Sequence, residues 1–267
     1  MKHPDLKIYM AVLSHGRPDS VKEVEGYLGC EATWYVGEGE SSSYRRHGAE
    51  RVVAAGNLPD SRNTALEDAW KYGFTCVQCS DDCRRFSIAT ERMVNLTALT
   101  TAILIKSAME AVGGVYLGGG NSTSNPYMAI GLRTGSKLPP QPSAQLISYN
   151  RLVLGDFSVV RPCGIFFEDD ILVKEDYAYT LKHLVAFGRV VRCNYILQDF
   201  RHRANLGGAN LWRNEGAEQD ACKKILERWP GVIRPAKPKS GSSFPELMIT
   251  WKPELRDHLL PARFARI

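Results

Sequence analysis

Residues 74–82 read FTCVQCSDD, a short apolar run that ends at once in Ser80, Asp81 and Asp82. Gly73 precedes the run, and its phenylalanine, threonine and valine favour extended backbone, so we expect a buried strand over residues 74–79. On the amino-terminal side, similar runs alternate with predicted helices: runs at 7–13, 32–36 and 51–55, helices at 19–27, 41–47 and 59–73. This alternation predicts an α/β protein with a mostly parallel central sheet and helices on both faces.

The rest of the chain continues the pattern with longer gaps. We expect helices at 93–112 and 175–187, and strands at 114–120, 152–160, 165–167 and 190–197. Residues 121–149 are rich in serine, proline, glycine and asparagine, which predicts a long loop. Neither an internal repeat nor a linker is apparent, so residues 1–267 are expected to form a single domain.

Composition narrows the class of protein. The chain has 267 residues, 44% of them hydrophobic, which is enough to bury a large core. Its first residues lack the apolar region of a signal peptide, and no apolar run approaches the roughly 18 residues that span a bilayer. We therefore expect a soluble, cytoplasmic protein with no membrane partner. Seven cysteines without a secretion signal favour reduced thiols; for Cys76, Cys79 and Cys83, buried packing is favoured over a zinc site.

Asp81 and Asp82 are the first candidates for chemistry. Two adjacent carboxylates at the carboxyl end of a buried strand are costly unless water or a cation neutralises them. Oxygen ligands suit Mg²⁺ or Mn²⁺, which complete their shells with water and phosphate oxygens. A solvated pair in a turn is the alternative. The residues favour a metal because Arg62 and Asn63 open the preceding helix, where free N–H groups attract anions.

The order of these features resembles the GT-A nucleotide-diphospho-sugar transferases. The resemblance covers about the first third of the chain and rests on LSHGRP at 13–18, DSRNTAL at 60–66 and VQCSDD at 77–82. It implies a UDP-sugar donor and a divalent ion, Mn²⁺ or Mg²⁺, held by Asp82. The implied donor-binding residues are Ser14, Gly16, Arg17, Arg62, Asn63, Asp81 and Gly119. The sequence departs from a strict D-x-D element, having Ser80-Asp81-Asp82, so Asp81 is expected to face the ribose or sugar.

The same resemblance assigns roles to the second half of the chain. Residues 1–120 would bind the nucleotide-sugar and residues 121–267 the acceptor. The segment FEDDIL at 167–172 is similar to the element that supplies the base of inverting members, with Asp169 as the base, Asp170 as the alternative and Glu168 as a supporting residue. A helix N-cap cluster is the other interpretation. His202 is a candidate further metal ligand, and a surface histidine is the alternative.

The acceptor is predicted from charge and a second resemblance. The net charge is +5, from 34 Lys and Arg against 29 Asp and Glu. The chain resembles the phage TET-associated DNA glycosyltransferases, which implies 5-hydroxymethylcytosine in double-stranded DNA as acceptor and the host cytoplasm as location. The cations that would then contact DNA phosphates are Arg201, Arg203, Arg213, Lys237 and Lys239. Trp212 or Tyr127 would support a base taken out of the stack.

Other functions stay open. The acceptor could be a small molecule, a polysaccharide or a protein. A nucleotidyltransferase would share the fold but attack the α-phosphate, and Ser14-His15-Gly16-Arg17 matches the glycine-rich loop of that class poorly. A non-catalytic nucleic-acid-binding module would suit the basic balance but leave both acidic clusters unexplained.

Overall fold

The computed structural model of the protein describes residues 6–89, 93–121, 145–200, 213–237 and 245–256. Its first half begins with four strands, β1 (Ile8–Leu13), β2 (Thr33–Val36), β3 (Arg51–Ala54) and β4 (Thr75–Ser80). The helices between them are α1 (Val21–Leu28), α2 (Ser41–Arg46) and α3 (Leu58–Trp70). These four strands pair in parallel, with β1 between β2 and β4. All of these elements were expected from the sequence, and their ends differ by only a few residues.

Further elements extend this unit. They are β5 (Cys83–Ala89), β6 (Met93–Leu96), α4 (Ala98–Val112), β7 (Leu117–Asn121), β8 (Ile147–Ser148), β9 (Phe157–Val160), α5 (Glu175–Phe187), β10 (Val191–Phe200) and α6 (Glu215–Arg228). A separate hairpin follows, formed by β11 (Ile233–Ala236) and β12 (Glu246–Ile249). Short 3₁₀ turns lie at Pro18–Ser20 and Pro253–Leu255.

One ten-stranded sheet organises the described structure. Its order is β3-β2-β1-β4-β9-β7-β10-β5-β6, with β8 also paired to β10. The strands β5, β8 and β9 run against their neighbours, and all others run in one direction. The expectation of an α/β protein with a mostly parallel central sheet is confirmed. Strands from both halves of the chain share the sheet, because β9 lies between β4 and β7.

Alternating side chains place a separate core on each face of the sheet. In β1, Tyr9, Ala11 and Leu13 face one core, and Ile8, Met10 and Val12 face the other. This follows from the two-residue period of a strand. Helices α3, α5 and α6 pack on the first face, and α1, α2 and α4 on the second. Helices therefore cover both faces, as expected.

The helix expected at residues 93–112 begins later than predicted. Residues Met93–Leu96 form β6, which pairs antiparallel with β5, and the helix begins at Ala98. Thr97 ends the strand and caps the helix, since its hydroxyl accepts a hydrogen bond from the Thr100 amide at 3.1 Å. Apolar residues at 93, 94 and 96 fit a helical period as well as a strand, so the pattern alone did not separate the two.

Other expectations need smaller corrections. The strand expected at 152–160 is restricted to β9, and 165–167 is not a strand. Within the loop expected at 121–149, residues 147 and 148 form β8, while 122–144 lie outside the described residues. Helix α6 and the β11–β12 hairpin were not expected. Cys76, Cys79 and Cys83 lie in the cores as buried thiols. In the portion of the chain that can be described, no helix has the length and apolar character needed to cross a membrane.

Candidate functional site

The sheet topology brings the ends of β1 and β4 together. Leu13 and Ser80 are the last register partners of these parallel strands, so Ser14 and Asp81 leave the sheet side by side. The chain runs from β1 outward through β2 and β3, and then returns to β4 on the other side of β1. In open α/β sheets, such a reversal of strand order opens a crevice at the carboxyl ends of the strands, where ligands bind.

Asp81 lies at the bottom of this crevice. It is only 6% exposed, and one carboxylate oxygen, Oδ2, accepts a hydrogen bond from the Ser14 hydroxyl. The Tyr44 hydroxyl lies 2.5 Å from Ser14 Oγ and in turn donates to that serine oxygen. Burial raises the pKa of Asp81 to about 7, although Arg17 and the Ser14 hydrogen bond act in the opposite direction.

Arg17 bridges the acidic pair and supplies one positive charge. Its Nη2 lies 2.8 Å from Asp81 Oδ1, and its Nη1 contacts Asp82 Oδ1. The Asp82 side chain is 17% exposed and that of Asp81 is 0% exposed, so Asp82 is the carboxylate that an incoming ligand can reach. Four residues predicted from the sequence are therefore gathered at one place: Ser14, Arg17, Asp81 and Asp82.

Gly16 lies on the rim of the crevice, where a positive φ of 69° suits glycine. Its amide donates to Glu40 Oε2 at 3.1 Å, and so does the amide of Gly37. Glu40 thus joins the loop after β1 to the loop after β2. Neither Glu40 nor Tyr44 was singled out in the sequence. Their only signal was a position after the second expected strand, at the same edge of the sheet.

Arg62 is buried away from the acidic pair. Its guanidinium lies 2.9 Å from Glu175 Oε1 and donates to the carbonyl of Gly155 and to Gln78 Oε1, both at 3.0 Å. These bonds connect α3 with β4 and α5. The guanidinium is therefore used within the protein, and contact of Arg62 with a donor stays a prediction.

Asn63 holds the second acidic cluster. Its side-chain carbonyl accepts from the Phe167 amide at 2.7 Å, and its Nδ2 donates to the Phe167 carbonyl at 3.2 Å. The same Nδ2 lies 3.4 Å from Asp169 Oδ1. We call this arrangement the Asn63 clamp. It brings Asp169 to the start of α3, which follows β3 at the edge of the sheet where the crevice opens.

Asp170 and Glu168 have different partners from Asp169. Arg228 of α6 contacts both of them, and Lys224 lies 3.9 Å from Asp170 Oδ2. The hydrogen bonds from Arg228 lower the pKa of Asp170. The two candidate bases are thus distinguished: Asp169 is held by a neutral amide, and Asp170 is held in an ion pair.

The remaining sequence candidates lie elsewhere. Gly119 is in β7 beside Val153, and a Cβ at this position would lie 2.7 Å from Val153 Cγ1, so packing alone requires glycine here. Arg213 pairs with buried Glu218 at 2.9 Å, and Lys237 is exposed after β11. Several candidates fall outside the described residues: Arg201, His202, Arg203 and Lys239, together with Tyr127 and Trp212.

The acidic pair fits a divalent ion that takes part of its shell from substrate. Across the described segments, no three His, Cys, Asp or Glu side chains gather as metal ligands. Asp81 Oδ1 is buried and accepts no well-aligned hydrogen bond from the described part of the chain, although Arg17 Nη2 is near it. That oxygen and the Asp82 carboxylate could serve Mg²⁺ or Mn²⁺, which commonly use one or two protein carboxylates beside water and phosphate.

Comparison with known proteins gives no family for this chain. No family model matches it, and no curated protein matches it. Among solved structures, a similar chain is the mannose-1-phosphate geranyltransferase from Thermus thermophilus, with 13% sequence identity and a TM-score of 0.33. The alignment covers 83% of this chain and 64% of that one. A likeness this slight carries no argument about fold or activity.

Proposed function

We propose that the protein is a metal-dependent glycosyltransferase, which moves a sugar from a nucleotide-diphosphate donor, a UDP-sugar, to an acceptor hydroxyl. One observation carries the proposal. Asp81 and Asp82 meet Ser14 and Arg17 at the carboxyl ends of β4 and β1, where the strand order reverses. Carboxylates and a guanidinium at a reversal of strand order suit a ligand that combines a diphosphate with a divalent ion.

The donor would lie across the ends of these two strands. Asp82, the more exposed carboxylate, would hold Mn²⁺ or Mg²⁺, and Asp81 would be shared between the ion and the donor. These two carboxylates would hold the ion, and its positive charge would stabilise the diphosphate as leaving group. Ser14, Gly16 and Arg17 would contact the nucleotide, with Glu40 supporting the loop that carries them.

Asp169 would act as the base. It would take the proton of the acceptor hydroxyl as that oxygen attacks the anomeric carbon, while the bond to the diphosphate breaks and UDP leaves with the electron pair. A single displacement of this kind inverts the anomeric configuration. Asp170 suits the role less well, because Arg228 lowers its pKa and occupies its oxygens.

For the acceptor we propose 5-hydroxymethylcytosine in phage DNA. The support is the net charge of +5 and the cations near the end of the chain, among them Arg213 and Lys237. Arg213 is paired with Glu218 and would have to change partner to contact a phosphate. Lys237 is exposed, so its burial does not prevent contact with a phosphate.

The test is an incubation with a panel of nucleotide-sugars, with Mn²⁺ or EDTA, and with hydroxymethylated or unmodified duplex DNA. Mass spectrometry of the nucleosides and assay of released UDP report the reaction. A glycosylated nucleoside formed only with metal and hydroxymethylated DNA is expected. Pyrophosphate release would indicate a nucleotidyltransferase. UDP release only with a different panel of acceptors would mean that the acceptor is not hydroxymethylated DNA. DNA binding without turnover would indicate a nucleic-acid-binding module.

The metal assignment has its own test. Asp82→Ala should weaken binding of UDP in the presence of Mn²⁺ by about tenfold or more, because it removes the reachable metal ligand. Isothermal titration with and without Mn²⁺ measures this, and Asp220→Ala, an exposed carboxylate on α6, is the matched control. Equal UDP affinity in Asp82→Ala and the control would remove the metal from this site.

A further inference from the structure

Arg17 contacts both carboxylates of the acidic pair, which a role in donor binding alone does not explain. Its guanidinium bridges Asp81 and Asp82, and its side chain is only 14% exposed. Two adjacent carboxylates, one of them with a fully covered side chain, would repel each other strongly without a counter-charge. Arg17 supplies that charge from within the chain. One of the two negative charges is therefore already balanced before any metal ion arrives.

We propose that Arg17 is the resident cation of the acidic pair, and that entry of a divalent ion and release of Arg17 are one exchange. The inference rests on the metal site of the proposed function and goes beyond it, because it makes the affinity for metal depend on a residue that is not a ligand.

A divalent ion at the acidic pair would compete with Arg17 for carboxylate oxygens. Asp81 Oδ2 already accepts a hydrogen bond from the Ser14 hydroxyl, so Oδ1 is the more open oxygen for a cation, and Arg17 Nη2 lies 2.8 Å from that atom. On Asp82, Nη1 contacts Oδ1. A metal ion using these oxygens would stand within a few ångströms of the guanidinium, and two positive charges at that separation repel.

The rest of Arg17 allows its side chain to leave. Among the residues that the structure describes, none accepts a hydrogen bond from its Nε, and the contacts that hold the guanidinium are those of the two terminal nitrogens. The backbone is anchored separately, because the Arg17 amide donates to the Tyr44 hydroxyl at 3.0 Å. The loop can therefore keep its course while the side chain moves. A guanidinium released beside the ion would face the diphosphate of a bound donor, a group that its fork fits.

Coupling between metal and nucleotide follows from this exchange. Without a diphosphate, the released Arg17 has no anion to replace the two carboxylates, so a divalent ion alone should bind weakly. With UDP present, the guanidinium gains a partner and the ion should bind more tightly. By linkage, the ion should strengthen UDP binding by the same factor.

The experiment measures Mn²⁺ binding to the full chain by electron paramagnetic resonance of the free ion, without nucleotide. Arg17→Met, which keeps length but removes charge, should bind Mn²⁺ about tenfold more tightly than the natural protein. The matched control is Arg51→Met. Arg51 lies at the opposite edge of the sheet, at the start of β3, and forms an exposed pair with Glu31 at 3.4 Å. Its Mn²⁺ affinity should stay within about twofold of the natural protein.

Unchanged or weaker Mn²⁺ binding by Arg17→Met would overturn the exchange. Should that variant fail to fold, Arg17→Lys keeps the positive charge but loses the planar fork that bridges two carboxylates. It should bind Mn²⁺ about threefold more tightly, and an affinity equal to that of the natural protein would again overturn the proposal.

A parallel titration of the natural protein with UDP-glucose and Mn²⁺ separates the two proposals. Tighter Mn²⁺ binding in Arg17→Met without any nucleotide binding would support the exchange and contradict the proposed function. Nucleotide binding with no effect of Arg17→Met on Mn²⁺ would do the reverse.

Discussion

Asp169 and Asp170 are neighbours in the sequence, but their side chains have different partners. The carboxylate of Asp169 is near the neutral amide of Asn63, whereas Asp170 is bound by Arg228. A base must be unprotonated and able to accept a proton, and an arginine that lowers the pKa of a carboxyl makes it a poorer acceptor. For the base of the proposed reaction, these contacts favour Asp169 over Asp170.

Removing the carboxylate of Asp169 should separate chemistry from binding. We expect Asp169→Asn to keep the affinity for UDP with Mn²⁺ and to lose at least about a hundredfold in kcat, a typical contribution of general base catalysis. Asp170→Asn is the matched control, and it should keep kcat within about fivefold. Steady-state kinetics and isothermal titration give both values. If kcat falls with Asp170→Asn instead, the base role belongs to Asp170.

The sequence identified the residues of the crevice better than their partners. Ser14, Arg17, Asp81 and Asp82 could be grouped because each lies in the short segment that follows an expected strand, and parallel strands end at one edge. The partners come from distant segments. Arg62 meets Glu175 across 113 residues and Asn63 meets Phe167 across 104. Such contacts depend on how helices pack, which local patterns do not report.

Secondary structure was most predictable where the sequence pattern fitted only one kind of element. Helix α5 runs over Glu175–Phe187 as expected, because its apolar positions repeat at helical spacing and Gly188 ends it with a φ of 79°. The prediction of a helix at residues 93–96 failed because their pairing with β5 is a tertiary contact. Helix α6 has a more polar sequence, so its packing against the core was not apparent.

The Asn63 clamp connects two distant parts of the chain, because it fixes the segment before α5 to the first turns of α3. We expect Asn63→Ala to lower kcat by about tenfold while the KM for the donor changes little, because Asp169 loses its positioning contact. A purely structural role would lower stability without a selective change in kcat. Thermal unfolding therefore accompanies the kinetics.

A second variant at the same position tests the link to Asp169 through pH. Asn63→Asp places a carboxylate where Nδ2 now lies 3.4 Å from Asp169 Oδ1, and like charges at that distance make it harder for a carboxyl pair to release its second proton. The acidic limb of the kcat profile should then move to higher pH. If Asn63→Asp lowers kcat equally at all pH values, Asn63 does not act through a titrating base.

The acidic pair lowers the stability of the fold, because Asp81 is a carboxylate with no exposed side-chain surface. Burial raises its pKa from 3.8 to about 7, so the folded protein holds a proton that the unfolded chain releases at lower pH. This contribution to stability is complete below the unfolded pKa and is lost as the pH rises through about 7. The metal-free protein should therefore lose stability between pH 5 and pH 8.

Asp81→Asn should remove this dependence, because an amide keeps the shape and its oxygen can still accept from Ser14. The free energy of unfolding of the natural protein should fall between pH 5 and pH 8 by on the order of 2 kcal/mol more than that of the variant. Urea unfolding at both pH values measures this difference, with the exposed Asp220→Asn as control. Equal pH dependence in Asp81→Asn and the natural protein would mean that Asp81 is ionised throughout this range. Arg17 would then compensate fully for its burial, and the exchange with a metal ion would begin from a tighter ion pair.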